Sequence, residues 1–430
     1  MKKIIIVIAF LFLTSSAALA QSFTPDTLYL KLADAIDKAI NYNEKLLSSK
    51  KQIEKSSYSI DEVKSFQYPQ IDLLFSYNYL DIVPGFKAVK LGNIEHDFFP
   101  RINLEQAIYL GGKIENSIRL KEELMRGKEY SHKEQEHQIK FILSSYYYQL
   151  KAVRNQISIL ENNKKQLEIQ KKLSRLLIDA GKLSELEIGR IEVDLAYIDG
   201  IMLKLENDYN SISHNILLLM GNDSYFTVIP VDSLKVEEDL PSLDDAISSA
   251  IGINPSIKKY ESSIKQSEIN KELQKAARLP QIGASAYYGY EFGLEKFSFD
   301  KNDRYFVGLN AKLPLFDGGN ITSKIQQAAI DIESAKYEMN YFVKQFSIMI
   351  DQTNRKIGEI KEQIDIQKKS VKQLKETYRL ALLEYQAGRR SNTDLLDIQK
   401  SLLNAEVILN DLQINYILKQ TELKYYCGIL

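Results

Sequence analysis

The chain has 430 residues, a formal net charge of −1, one cysteine and no tryptophan. A near-neutral balance gives no electrostatic footprint for nucleic acid, and the single thiol, Cys427, excludes an internal disulfide framework or a multi-thiolate metal site. Nine prolines suit long unbroken helices, whereas 26 tyrosines acquire meaning only once they are located.

Residues 1–20 read as a secretory signal peptide. Lys2 and Lys3 precede an apolar run from Ile4 to Leu13, and Ala18-Leu19-Ala20 offers a small-residue cleavage pattern before Gln21. No cysteine follows that site, so an N-terminal lipid anchor is not expected. The run is too short to span a bilayer, and no later segment offers about 18 uncharged apolar residues. Export is therefore predicted, with any membrane contact left to strands or surface helices.

The rest of the chain repeats itself. Leu32-Ala33-Asp34-Ala35-Ile36 matches Leu243-Asp244-Asp245-Ala246-Ile247, and Tyr68-Pro69-Gln70-Ile71 matches Leu279-Pro280-Gln281-Ile282, both 211 residues on. Beyond that the offset is 207, joining Gly111-Gly112 to Gly318-Gly319, Ala180-Gly181 to Ala387-Gly388, and Met220-Gly221 to Cys427-Gly428. The four-residue slip falls between Pro69 and Gly111, in a loop that can change length; a coiled-coil seam would rotate under the same deletion.

Each repeat reads as helix, strand pair, long helix, tip turn and helix. The first covers 21–221, with strands in 69–108, a long helix 113–179, a tip 180–184 and a returning helix 185–220. A linker, 222–241, contains the acidic Glu237-Glu238-Asp239. The second repeat covers 242–430, with strands in 280–315, a long helix 320–386, a tip 387–391 and a final helix 392–427. In the strands Ile71, Leu73, Phe75, Tyr77 and Tyr79 alternate with mostly polar neighbours, and Pro84-Gly85 marks a turn. Tyr305, Val307, Leu309, Ala311 and Leu313 alternate likewise in the second repeat. Strands of about ten residues with one apolar, aromatic-rich face are what a transmembrane barrel wall requires.

The helices carry heptads. Ile350, Ile357, Ile364, Val371, Tyr378 and Tyr385 recur every seven residues before the second tip, and Leu395, Leu402, Leu409, Tyr416 and Leu423 after it. Ile188, Leu195, Met202, Tyr209 and Ile216 do the same after the first tip. Such a pattern specifies antiparallel coiled-coil hairpins, with Gly388 as a left-handed cap and Ser391 opening the next helix. Four strands cannot close a barrel in lipid, so oligomerisation through the strands is predicted, three copies supplying twelve.

The Leu279-Pro280-Gln281 entry to the strands resembles that of the TolC family of outer-membrane efflux channels. So do Leu313-Pro314-Leu315-Phe316-Asp317-Gly318-Gly319, the tip from Tyr385 to Leu396, and the double repeat as a whole. The resemblance implies a mixed α and β membrane protein in which long antiparallel coiled-coil helices form a periplasmic helical barrel. The four strands of each protomer would contribute to a 12-stranded trimeric β-barrel in the outer membrane. It also implies a homotrimer in contact with outer-membrane lipid, working with a periplasmic adaptor and an inner-membrane pump as the exit duct of a tripartite efflux or type I secretion system.

Asp394 and Asp397, three apart, would place six carboxylates around the entrance of a trimer, where clustered acids favour cations; equally, both suit the dipole of a first helical turn. The resemblance assigns them to a periplasmic gate ring, and assigns Tyr385, Arg390 and Glu187 to a latch that holds the tip closed. A solvated pair worth about 0–1 kcal/mol is the plainer reading of the latch. The resemblance further implies adaptor docking at Gly181, Lys182, Leu183 and Ser184, and at Gly388, Arg389 and Ser391, although ordinary turn chemistry also accounts for the Gly and Ser. The two tips differ, with Leu183 and Ile178 standing where the second has Arg390 and Tyr385.

No enzyme, cofactor or metal site is predicted. His132 and His137 flank Glu134 and Glu136, but a spacing of five does not put two imidazoles on one helix face. The competing reading is an exported coiled-coil structural protein without a pore.

Overall fold

A computed structural model describes residues 27–79, 96–223, 226–232, 241–295 and 298–430. The signal segment, the Pro84-Gly85 turn and the acidic Glu237-Glu238-Asp239 lie outside the described residues. The chain divides into two compact units. The first comprises 1–43, 139–240 and 355–422; the second comprises 44–138, 241–354 and 423–430.

In chain order the elements are β1 (Thr27–Leu30), α1 (Leu32–Tyr42), α2 (Glu44–Ser65), β2 (Gln70–Tyr79), β3 (His96–Tyr109), α3 (Lys113–Asp179) and α4 (Leu186–Leu219). They continue with β4 (Thr227–Pro230), α5 (Leu243–Ile253), α6 (Pro255–Ala276), β5 (Gln281–Glu295), β6 (Ser298–Lys312), α7 (Asn320–Gln386) and α8 (Asn392–Cys427). The helices α3 and α7 are each 67 residues long. Among the described residues no helix is long and apolar enough to cross a membrane.

The first helix of each repeat, expected to be continuous, is broken by an asparagine. Asn43 and Asn254 both leave the helical region, with ψ of 120° and 124°. Pro255 explains the second break, because it removes the N–H that would continue the helix; Asn254 Oδ1 accepts instead from the Ser256 amide at 2.9 Å. Each asparagine then donates its side-chain amide to the end of the last helix of its own repeat, Asn43 to Leu219 O at 2.9 Å and Asn254 to Tyr426 O at 3.0 Å. These carbonyls belong to the unpaired last turn of a helix, where an outside donor is needed.

In the first unit the heptad residues form the seam. Leu160 and Leu167 of α3 pack with Ile191, Ile198 and Leu205 of α4, and Val371 of α7 packs with Leu402 and Ala405 of α8. A feature absent from the sequence reading lies here as well. The segment read as a linker contains β4, which pairs in parallel with β1, Thr27 opposite Thr227 through Leu30 opposite Pro230. Tyr147 of α3 clasps this pair, its hydroxyl 3.0 Å from Leu30 O and 2.8 Å from Asp232 Oδ2. Burial favours the protonated Asp232, but the Leu32 amide, the Tyr147 hydroxyl and the Lys151 ammonium outweigh it and hold the pKa below the usual carboxylate range.

The second unit holds an antiparallel sheet of order β2-β3-β5-β6, so the hairpins of the two repeats join through β3 and β5. Across it run the rows Leu73–Ile102–Tyr288–Tyr305 and Ile71–Leu104–Ala286–Val307. Their shared face is apolar and uncovered in the protomer, with Tyr305 79%, Val307 81% and Leu309 75% exposed.

Candidate functional site

The tip residues lie in the first unit. Both tips end their long helix in the same way. The Gly181 and Lys182 amides donate to Ile178 O and Leu177 O, each at 2.8 Å, and the Gly388 and Arg389 amides to Tyr385 O and Glu384 O, each at 2.9 Å. This six-to-one closure needs a left-handed residue, supplied by Gly181 at φ 72° and Gly388 at φ 70°. A Cβ at either would meet nothing within 4 Å, so these glycines serve the turn and not a close internal contact. Lys182, Ser184, Arg389 and Ser391 are exposed and Leu183 is half-buried. Ser391 Oγ accepts from the Asp394 amide at 3.1 Å, a cap on the first turn of α8. Asp394 and Asp397 stand exposed on the turns that follow.

Beneath the tip is a buried polar layer that the sequence reading missed. Tyr385 is 1% exposed, and its hydroxyl lies 2.7 Å from Ser174 Oγ of α3. It packs among Ala381, Leu395, Leu177 and Leu183. Burial raises the phenol pKa and the Glu187 charge adds to that, while the Ser174 contact opposes it. Gln170 donates to Asn392 Oδ1 at 2.6 Å, and Asn392 Nδ2 donates to Glu187 Oε2 at 3.0 Å. Gln170 and Asn392 are both buried, and a buried amide left unsatisfied costs more than the bond itself contributes.

The expected direct contacts among Tyr385, Arg390 and Glu187 are therefore not present within the protomer. Arg390, in the tip turn, reaches back to Glu384 near the end of α7, 2.7 Å away, the ring of Tyr385 is committed to the seam, and Glu187 faces Asn392 and, at 3.8 Å, Arg190. Ser174 carried a usable signal. It occupies the repeat position of Ala381, a seam site, and a hydroxyl there needs a partner.

Between α4 and α8 in the same unit is a groove of about 430 Å³ lined by Leu167, Val193, Tyr197, Gln399 and Leu403. An ion pair, Lys400 to Asp194 at 2.9 Å, borders it, and both amide atoms of the buried Gln399 lack a hydrogen-bond partner among the described residues.

The described residues thus combine an antiparallel sheet that has one uncovered apolar face with long antiparallel helical hairpins. The sequence profile described as "Outer membrane efflux protein" matches residues 246–428. The outer membrane protein TolC of Vibrio cholerae is 22% identical over 417 residues, covering 93% of this chain and 91% of that protein. The proteases secretion protein PrtF of Dickeya chrysanthemi is 18% identical over 64% of this chain, and the match spans only 61% of PrtF. The fold is similar to that of the Campylobacter jejuni CmeC outer membrane channel, with a TM-score of 0.79 at 19% identity over 92% of this chain and 85% of that one. Residues 246–428 are thus similar in sequence to the outer membrane efflux protein family, and the fold is similar to that of solved outer-membrane channels.

Proposed function

We propose that three copies of this chain form a channel-tunnel in the outer membrane, the exit duct of a tripartite efflux or type I secretion system. The observation that carries the reading is that, among the described residues, β2 and β6 each pair on one side only. Open edges are not tolerated in lipid, and four strands cannot close on themselves. All three ladders are antiparallel, so β2 and β6 run in opposite directions. The β6 edge of one copy thus meets the β2 edge of the next in the same antiparallel sense, and three copies close a 12-stranded barrel with its apolar face toward lipid.

The helical hairpins then continue the duct in the periplasm as a helical barrel. Asp394 and Asp397 ring its entrance and favour cations. The latch is a layered one, in which Tyr385 with Ser174, and Glu187 with Asn392 and Gln170, keep the two hairpins of a protomer together. Arg390 is free to reach a neighbouring copy once its exposed pairing with Glu384 is exchanged. A periplasmic adaptor docks on the exposed tips, at Gly181, Lys182, Leu183 and Ser184 and at Gly388, Arg389 and Ser391, and along the apolar groove beside Tyr197. An inner-membrane pump supplies the energy and selects the cargo; the resemblance to a protease secretion protein favours polypeptides among the possible cargoes.

The test is biochemical. Detergent-extracted protein should run as a heat-sensitive trimer and insert discrete conductances into a planar bilayer. A monomer soluble without detergent, with no conductance, would sink the reading. Cysteines placed at positions 184 and 391 should crosslink to the co-expressed adaptor, and failure at both would remove the docking assignment.

A further inference from the structure

The sheet has a second face, and the channel reading turns it toward the lumen. The row beside the lipid-facing ones is Leu74–Arg101–Gly289–Arg304, so two arginines flank one glycine. A Cβ at Gly289 would stand 2.5 Å from Pro100 O and 2.6 Å from Arg101 Cβ, and no larger residue fits. The space so left lets both guanidinium groups converge on one ring. The Arg101 Cζ lies 5.2 Å from the Phe99 centroid and 5.4 Å from that of Tyr287, and the Arg304 Cζ 5.8 Å from Phe99. Tyr287 meets Phe99 edge-on at 5.8 Å and stacks on Phe306 at 5.6 Å. The outermost ring, Phe306, is 45% exposed.

The charges in this cluster do not cancel. Arg304 is ion-paired with Glu291 at 2.8 Å, whereas Arg101 Nε is buried without a hydrogen-bond partner among the described residues. Filling space would need only the aromatic rings, and a partly buried guanidinium with an idle donor is costly if nothing uses it. Planar guanidinium groups beside an accessible aromatic face are suited to a ligand that is itself planar and anionic, which stacks on the ring and offers its charge to the donors.

We propose that these six residues, Phe99, Arg101, Tyr287, Glu291, Arg304 and Phe306, repeated in three copies around the barrel lumen, form a binding ring for planar aromatic anions. It is a selective point separate from Asp394 and Asp397, with opposite charge preference. The proposal rests on the channel reading above.

Full-length protein in planar bilayers tests it, with naphthalene-1,3,6-trisulfonate as blocker, added to each side in turn, and inorganic sulfate as the non-aromatic control. The aromatic anion should interrupt the current at concentrations where sulfate does not. Arg101→Gln should raise the blocking concentration by about tenfold or more, the worth of one charge-assisted contact. Should Arg101→Gln fail to assemble on an unheated gel, Phe306→Leu, at an exposed ring, carries the same test through loss of stacking. Channels that the trisulfonate does not block, or that it blocks equally in wild type and variants, overturn the ring while leaving the channel intact. Absence of any conductance in the wild type overturns the channel reading and the ring with it.

Discussion

The two helical tips share a backbone and differ in the work their side chains do. Both close with the same pair of amide bonds around a left-handed glycine. At the first tip the repeat-mates of Asp394 and Asp397 are Glu187 and Arg190, opposite charges 3.8 Å apart, with Glu187 half-buried and held by Asn392. The second tip presents two exposed acids that have no such basic mate among the described residues. Duplication has thus preserved the turn while one tip became a strut inside the protomer and the other an outward carboxylate surface. The lesson is that equal backbones do not license equal roles, and that charge compensation separates the two.

The largest effect should come from the seam beneath the second tip. Tyr385→Ala removes a fully buried ring and should cost about 3–5 kcal/mol, against roughly 1–2 kcal/mol for Ile178→Ala at the half-buried repeat position. Denaturant midpoints decide it, and equal costs would break the contrast. Next, Ser174→Ala and Glu187→Ala each strand a buried polar partner and should cost about 1–3 kcal/mol. Asp394→Ala should cost less than about 1 kcal/mol yet move the reversal potential of the channel toward anions, which Glu187→Ala should not do.

Smaller again, Arg390→Ala breaks a largely exposed pair and should change stability by about 0–1 kcal/mol; a larger loss in the isolated trimer would show that Arg390 already bridges protomers. The pH dependence is subtler. Burial raises the folded pKa of Tyr385, so its contribution is complete below the unfolded value of about 10 and is lost as pH rises toward the folded one. Tyr385→Phe should make the alkaline loss of tip stability shallower above about pH 10, measured by protease cleavage at the tip, and an unchanged alkaline limb would discount this phenol.

The coiled coils were legible because Ile350, Ile357, Val371, Leu395 and Leu402 recur at fixed intervals and every one of them is buried. The strands were legible because alternation leaves Leu73, Tyr305 and Val307 on one face. The pairing of β1 with β4 was not, since four-residue strands are too short to show a period and their partner lies some 200 residues away. The break at Asn254 is written in its neighbour Pro255, but Asn43 precedes a glutamate and gives no such mark. Partners such as Ser174 and Tyr385 depend on how one hairpin is rotated against another, which a one-dimensional repeat does not encode.

The parallel ladder of Thr27–Leu30 on Thr227–Pro230 constrains the order of assembly. A segment near the start of the chain can find its partner only after the whole first repeat has been synthesised and delivered. Ring closure over so long an interval is slow, because the entropy of the intervening chain must be lost before the contact forms. Thr27–Leu30 therefore wait with their ladder groups unmatched until Thr227–Pro230 arrive.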